Sequence, residues 1–322
     1  MKTRSVLKTA AMALVLFCGH PLSWSQGYPS KPVRMVVPFP PGTGTDLTAR
    51  LMSQQLQAAL GQPFVVDNKP GAGGSIGAME VVRAAPDGHT LLFSSNSAAA
   101  SNVALLKTMP YDPVKDFTAV AGIGEGVLVL MVKVDHPAKN LQEFMVYVNQ
   151  RPGRVDGGYG SSSSQISIAV LNKLAKFNTL AVPYKGIPLA INDVIAGVID
   201  FTFVDMGNAI AQAKGGKLRA LGITAVKRSP LVPDWPALAE VMPGFDITAW
   251  FAVMGPAGMP KDVEDKLNST INQILRQAEF KDKLASTGIT PMPMTPEQIK
   301  NFVPSEVAKW LQLAKDANIQ PE

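Results

Sequence analysis

Apolar residues in this chain follow two patterns that alternate along most of its length. Short apolar stretches rich in β-branched residues end at Gly, Pro or Asn, as buried strands do. Between them, apolar residues recur every three or four positions, which is typical of helices that bury one face. The short stretches predict buried strands at 33–39, 63–68, 90–95, 117–123, 127–134, 155–160, 180–186, 200–205 and 218–224.

The periodic segments predict helices that pack on these strands. One helix with four leucines on a single face stops at Gly61. A second ends before Pro86, and a third is opened by Pro188. The tail from 261 to 322 is also helical. Alternating strands and helices predict an α/β protein whose sheet is mostly parallel and covered by helices on both faces.

Two long apolar stretches interrupt the alternation. One spans 117–134 and contains the glycine-rich segment GIGEG, and the other spans 218–255 and contains a proline-rich segment. We interpret them as the places where the chain leaves a first α/β lobe and later returns, so that two strands join the lobes. The predicted division is a signal peptide at 1–25, lobe 1 at 26–123 plus 245–322, and lobe 2 at 124–244.

The first 25 residues predict a cleaved export signal. Three basic residues precede an apolar stretch from about 10 to 18, and a polar segment follows that ends near Ser25. Phe17 stands where a lipoprotein signal needs a small residue, so we expect no lipid anchor on Cys18. Removing this peptide lowers the formal charge from +5 to about +2 and takes away the single cysteine. We therefore expect the mature chain in the periplasm, without disulfides and with no nucleic-acid partner.

Groups suited to catalysis are scarce in the mature sequence. His89 and His136 each stand alone in loop-like settings, and no cysteine accompanies them in a metal site. The serine run at 161–164 lacks the glycine that a nucleophile elbow has two residues after its serine. The segment Gly71–Gly77 fails as a dinucleotide fingerprint because Ile76 occupies the third glycine position. We therefore predict a binding protein with no catalytic residue, no cofactor and no metal.

Three loops share one design, in which a strand ends in small or hydroxyl residues just before a helix. They lie at 40–46, 71–75 and 159–164. Glycine allows a ligand to approach the backbone, and the first N–H groups of a helix are unpaired at the positive end of its dipole. Such loops suit a carboxylate, and α/β sheets bind ligands at the carboxyl ends of their strands. The alternative is that each is only a tight turn, with Thr45 or Asp46 as an N-cap.

Several segments, taken in order, resemble the periplasmic substrate-binding proteins of tripartite tricarboxylate transporters, many of which are called Bug receptors. They include PFPPGTGTDLTAR at 38–50, VVDNKPGAGGSIGA at 65–78, PYDPVKDFTAV at 110–120, VPYKGIPLAINDVIAGVIDFTF at 182–203 and RSPLVPDWPALAEV at 228–241. The resemblance covers the mature chain. It implies a type II periplasmic binding protein fold, in which two α/β lobes joined by two crossing strands close on a small organic acid in the cleft.

The resemblance also implies where the ligand binds. A carboxylate is held between the loop after the first strand and an equivalent loop of the second lobe, with an acid after the strand at 200–205 near the cleft. On this chain the expected ligand-binding residues are Phe39, Pro41, Gly42, Thr43, Gly44, Asp46, Asn96, Tyr159, Gly160, Ser161, Ser162, Ser163 and Asp205. Trp250 is a further candidate for contact with the body of the ligand, but we expect more strongly that it belongs to the core. Asp205 either caps the following segment or meets a hydroxyl or ammonium group of the ligand.

The sequence departs from the family pattern in both carboxylate loops. Thr43 replaces the second of two adjacent glycines, and we hypothesise that it changes the floor of the pocket. The loop of the second lobe is shortened to Ser161–Ser164, with Gln165 and Ile166 where the family has a His-Leu pair. The general carboxylate role therefore carries over, but the ligand of a given relative does not.

The function implied is that of an extracytoplasmic receptor which delivers a small organic acid to the permease subunits of a tripartite tricarboxylate-type transporter. We expect it to act as a monomer. One alternative is a receptor that signals to a membrane sensor, and another is a periplasmic enzyme that uses the same cleft. The sequence leaves open whether the acid is aliphatic or aromatic and how many carboxylates it carries.

Overall fold

The computed structural model describes residues 27–321, so the predicted signal peptide lies outside the described residues. The strands are β1 (Val33–Val37), β2 (Phe64–Asn68), β3 (Thr90–Ser95), β4 (Phe117–Lys133), β5 (Asp156–Tyr159), β6 (Leu180–Pro183), β7 (Phe201–Asp205), β8 (Leu218–Ile223), β9 (Thr248–Pro256) and β10 (Ile289–Pro291). The helices are α1 (Gly44–Leu60), α2 (Ser75–Val82), α3 (Asn96–Ala99), α4 (Leu141–Asn149), α5 (Ser162–Ala175), α6 (Ile187–Ala196), α7 (Met206–Lys214), α8 (Lys261–Arg276), α9 (Ala278–Ser286) and α10 (Pro296–Asp316).

The ends of the helices follow from their capping residues. Thr43 caps α1, because its side chain accepts a hydrogen bond from the backbone N–H of Asp46. At the other end, Gly61 adopts φ 75°, which a residue with a side chain rarely does, and the predicted stop is confirmed. Pro188 stands in the first turn of α6, where its missing N–H costs no hydrogen bond.

The strands form one curled mixed sheet in the order β2-β1-β3-β9-β4-β7-β5-β6, and β8 and β10 also pair with β4. β1 runs parallel to β2 and β3 at one end, and β5 runs parallel to β6 and β7 at the other. β9 is antiparallel to both β3 and β4, and β4 is also antiparallel to β7. The prediction of a mostly parallel sheet was therefore wrong for the middle, because the strands that cross between the lobes run against their neighbours.

Strand β4 is one continuous strand where the sequence predicted two. Its first part pairs with β9 and β10 in lobe 1, and its last part pairs with β7 and β8 in lobe 2. A Cβ atom on Gly124 would lie 2.5 Å from the Cγ2 atom of Ile289 and 2.8 Å from the carbonyl oxygen of Thr290, both in β10. The glycines that looked like a loop thus make room for a short neighbouring strand. β4 passes through the predicted boundary at 123/124, and the lobe bounds stay a prediction.

The core has one apolar cluster in each lobe and a third that reaches across both. Met35, Phe93 and Ile271 belong to the cluster of lobe 1, and Met131 and Val204 belong to that of lobe 2. The third joins tryptophans of β9 and α10 to phenylalanines of β7. β6 was expected to be buried but is largely exposed, because it forms the edge of the sheet. Within residues 27–321, no helix combines the length and the apolar character needed to cross a bilayer.

Replacing Gly124 with alanine should destabilise the protein. The added Cβ would collide with the backbone of β10, and overpacking of this kind costs about 1–3 kcal/mol. We expect the urea midpoint of Gly124→Ala to fall by the corresponding amount with an unchanged m-value. Gly215→Ala is the control, because Gly215 has φ −73°, which alanine adopts without strain. Equal midpoints for Gly124→Ala and the wild type would contradict this packing argument.

Candidate functional site

Two adjoining cavities lie between the lobes. The larger, of about 370 Å³, is walled by the glycine loop at 71–74 on one side and by the loop at 159–162 on the other. The smaller, of about 50 Å³, lies against the crossing strands, because Leu128, Ala249 and Phe251 contribute to its lining. Both are bounded by Phe39, Gly160 and Ser161. The larger cavity has the size of a small-molecule site.

Most of the predicted ligand-binding residues meet at these cavities. Pro41, Gly42 and Asp46 line neither of them. The predicted residues that line one or both are Phe39, Thr43, Gly44, Asn96, Tyr159, Gly160, Ser161, Ser162, Ser163 and Asp205. Contact of these residues with a ligand stays a prediction.

Asp46 holds the loop at 40–46 in place by hydrogen bonds. Its carboxylate, with 2% of the side chain exposed, accepts hydrogen bonds from the Gly42 N–H (2.9 Å), Arg50 Nε (3.1 Å) and Asn68 Nδ2 (2.9 Å). Burial alone would raise the pKa of Asp46, but these hydrogen bonds outweigh it and hold the pKa below its usual value. The oxygens of Asp46 are thus taken up by the loop, by Arg50 and by β2, and contact of Asp46 with a ligand stays a prediction.

Thr43 has two roles at the start of α1. Its Oγ1 accepts from the Asp46 N–H at 3.3 Å and donates to the Pro40 carbonyl at 3.0 Å, so it caps the helix and closes the loop. This corrects the alternative that Thr45 or Asp46 is the N-cap. Thr43, Gly44 and Thr45 also line the smaller cavity. The positive end of the α1 dipole therefore points at this cavity.

Asp205 faces the same cavity from lobe 2. It caps α7, because its carboxylate accepts from Asn208 N (3.1 Å) and from Asn208 Nδ2 (2.9 Å), and it also accepts from the Gly44 N–H. A Cβ on Gly44 would lie 3.0 Å from Asp205 Cγ, so glycine permits this approach. Burial raises the pKa of Asp205 despite these hydrogen bonds. The capping role is thus seen, and contact with a ligand donor stays a prediction.

The serine run joins the lobes by hydrogen bonds. Ser162 Oγ donates to Ser97 Oγ at 2.7 Å, and Ser163 exchanges hydrogen bonds with Asn96 at 3.0 and 3.2 Å. Ser161 caps α5 in a reciprocal pair with Ser164. The hydroxyls of the predicted donors are therefore already partnered, chiefly across the cleft, and the lobes of this structure are in contact.

Glycine and proline residues allow the closest contacts between the loops. A Cβ on Gly160 would lie 2.3 Å from the carbonyl carbon of Gly186, and a Cβ on Gly186 would lie 2.8 Å from Pro40 Cγ. Asn208 Nδ2 donates to the Gly42 carbonyl at 3.0 Å. Loop 40–46 of lobe 1 is therefore packed directly against lobe 2.

The aromatic candidates differ in position. Phe39 lines both cavities, and Tyr159 lines the larger one. Trp250 belongs to the core, as the stronger expectation had it: it is 2% exposed and donates through Nε1 to buried Glu306 at 2.6 Å. Glu306 accepts a second hydrogen bond from Trp310 Nε1 at 3.0 Å.

Sequence reasoning missed part of the larger cavity. Asn102, Leu105, Gln165, Tyr184 and Lys185 all line it. The sequence could have pointed to two of them. Gln165 stands in the family's histidine position, and Lys185 lies in the segment VPYKG, which resembles the family. In the described part of the chain, His, Cys, Asp and Glu side chains form no group that could hold a metal ion. The cavity walls offer hydroxyl, amide and backbone donors, which suit an anion.

The lobes, the crossing strands and this cleft define a two-lobe solute-binding receptor with the type II periplasmic binding protein fold, and the predicted fold class is confirmed. The family model described as "Tripartite tricarboxylate transporter family receptor" matches residues 48–319. The chain belongs to this family, as the sequence indicated. Its members are periplasmic solute-binding receptors, and this chain is a receptor rather than an enzyme.

Similar proteins match nearly the whole chain. Protein BugT of Bordetella pertussis is 36% identical over 295 residues, which are 90% of each chain. The structure described as "R. palustris Rpa4515 with adipate" has a TM-score of 0.89 and 32% identity, over 92% of this chain and 100% of that one. MatC (Rpa3494) from Rhodopseudomonas palustris with bound malate has a TM-score of 0.84 and 33% identity, over 89% and 100% of the two chains.

Asp46 and Asp205 should influence stability with opposite dependence on pH. The folded pKa of Asp46 is lowered, so its contribution is present at neutral pH and is lost as the pH falls through the folded value, below about 4. The folded pKa of Asp205 is raised, so the stability linked to its protonation is present below about pH 4 and is lost as the pH rises through the folded value.

Urea unfolding across this pH range should separate the two carboxylates. The stability difference between wild type and Asp46→Asn should shrink in acid. For Asp205→Asn, asparagine also serves as an N-cap but does not titrate. The stability of the wild type relative to Asp205→Asn should therefore fall as the pH rises. Parallel stability curves for the wild type and either variant would show that the respective carboxylate is not perturbed in the folded state.

Proposed function

We propose that this protein is a receptor that binds a small organic carboxylate between its lobes and delivers it to the permease subunits of a tripartite tricarboxylate-type transporter. The observation that carries the proposal is the meeting of two donor-lined cavities at the contact between the lobes. Gly160 and Ser161 from lobe 2 face Phe39 from lobe 1 where the cavities adjoin. The carboxylate binds at this junction, and the body of the acid extends into the larger cavity.

The chemistry of the junction supports an anionic group. The N-terminal ends of α1 and α5 both lie there, through Gly44 and Thr45 of α1 and Ser161, the cap of α5. The positive end of a helix dipole and the first N–H groups of the helix stabilise an anion without an arginine. Relatives solved with adipate and with malate agree with an organic acid as the ligand.

A ligand at this junction favours closure because it touches both lobes. A ligand shifts the open–closed equilibrium only to the extent that it binds the closed state more tightly. Groups from both lobes surround the junction in the closed arrangement, so the ligand makes its full set of contacts only there. The closed form, with its lobes in a fixed relation, is the form that a permease recognises. The mature protein acts as a monomer in the periplasm after its signal peptide is removed.

The ligand class can be tested directly. Mass spectrometry of small molecules released from freshly purified protein should detect an organic acid. In a thermal-shift panel, an acid at a hundredfold excess over its Kd should stabilise the protein by roughly 2.7 kcal/mol. If no mono-, di- or tricarboxylate shifted the melting temperature, the carboxylate proposal would be wrong.

Thr43→Gly should change the order in which acids bind. Thr43 lines the smaller cavity, so removing its side chain enlarges the floor of the site. The lost cap should lower the stability of the protein by only a few tenths of a kcal/mol, because glycine is itself tolerated at an N-cap. The measurement is the ranking of acids by calorimetric Kd for wild type and variant.

Thr295→Gly is the matched control for this experiment. Thr295 caps α10 through the same kind of hydrogen bond, to the Gln298 N–H at 3.2 Å, and lines neither cleft cavity. Its replacement should leave the ranking of acids unchanged. The idea that Thr43 shapes the ligand preference fails if Thr43→Gly and Thr295→Gly rank the acids alike.

A further inference from the structure

The larger cavity has one charged side chain in its lining. Lys185 of lobe 2 contributes to this lining, and the other lining residues are neutral. Directly across from lobe 2, the glycine loop at 71–74 of lobe 1 adds backbone groups and a single methyl. Asp205 lines the smaller cavity and not this one. Lys185 is therefore the one residue with a formal charge in the lining of the larger cavity.

The ammonium of Lys185 has no anionic partner among residues 27–321. It enters none of the ion pairs or side-chain hydrogen bonds of the described chain. The acid of the following helix, Asp193, already accepts a hydrogen bond from Tyr184 Oη at 2.7 Å. A charge that lines a ligand-sized cavity without a protein partner is available to an anion in that cavity.

The backbone beside Lys185 is fixed, although the side chain is exposed. The preceding residue, Tyr184, donates its N–H to the Tyr159 carbonyl at 2.8 Å. The following residue, Gly186, packs against Pro40 of lobe 1 so closely that a Cβ there would lie 2.8 Å from Pro40 Cγ. Lys185 is thus anchored where the two lobes touch, and this position distinguishes it from a mobile surface lysine.

We propose that Lys185 recognises a second anionic group of the ligand, which makes the ligand a dianion with one carboxylate at the junction of the cavities and the other in the larger cavity. This inference rests on the proposed function and deepens it. A dicarboxylate pairs with the ammonium when the lobes close. A monocarboxylate of the same length puts an apolar end there, so that the ammonium loses water and gains no partner. The lysine therefore selects by charge at the far end of the ligand.

The test compares matched acids on matched variants. Calorimetric Kd values are measured at about pH 8, where both carboxylates of the diacids are ionised. The panel is the straight-chain mono- and dicarboxylates of four to eight carbons, with benzoate and terephthalate as the aromatic pair. In the wild type, the diacid of the best-binding pair should bind roughly tenfold or more tightly than its monoacid.

Three variants isolate the role of Lys185. Lys185→Met should weaken binding of that diacid by roughly tenfold and change the monoacid by less than about twofold. Lys185→Arg keeps the charge and should keep the diacid preference. Lys217→Met removes another exposed loop lysine of lobe 2, which lines neither cleft cavity, and the affinities of this variant should match those of the wild type. Equal melting temperatures of the unliganded variants establish that each is folded.

The outcomes separate this inference from the proposed function. If monoacids bind the wild type as tightly as their diacids, or if Lys185→Met keeps the diacid preference, Lys185 does not read a second charge, and the carboxylate receptor stands without it. If no member of any pair binds, and no acid of the wider thermal-shift panel binds either, the proposed carboxylate function fails, and the inference about Lys185 fails with it.

Discussion

Strand β4 is hydrogen-bonded in both lobes, and the geometry of the cleft depends on it. Its pairing with β9 ends at Val127, opposite Thr248, and its pairing with β7 begins at the next residue, Leu128, opposite Asp205. The change of partners therefore occurs beside the acid that lines the smaller cavity. Because β4 is hydrogen-bonded on both sides of this point, it carries the floor of the cleft from one lobe into the other.

The contacts that close the cleft come from small polar groups and from glycine. Asn96, Ser162 and Ser163 connect the lobes by short hydrogen bonds, and Asn208 reaches the carbonyl of Gly42. Each such bond contributes only about 0.5–1.5 kcal/mol, so the closed state is stabilised modestly without a ligand. This modest stabilisation of the closed state reduces the free energy that ligand binding must supply to close the lobes. The open–closed equilibrium can then still be shifted by a ligand.

Sequence patterns predicted most of the strands, three helix ends and the loops of the site because these depend on local chemistry, and β9 was not among the predicted strands. They did not predict β10, which has three residues and no alternation to detect, or the continuity of β4, since glycines every second residue also signal a loop. The family resemblance pointed to two loops, 40–46 and 159–164, and residues of both line the cavities. It could not show that the serine hydroxyls meet Ser97 and Asn96, because hydroxyl groups suit a ligand and a neighbouring lobe equally well.

The position of α10 in the sequence affects the order in which the two lobes can fold during synthesis. Trp250 of β9 and Trp310 of α10 share the buried carboxylate of Glu306, and β9 lies between β3 and β4 in the sheet. These elements come from the last quarter of the chain, whereas the strands of lobe 2 are all synthesised before them. Since chains emerge from their N-terminus, lobe 2 is complete while lobe 1 still lacks a central strand and its final helix. Lobe 1 can therefore complete its sheet only after the last quarter of the chain has been synthesised.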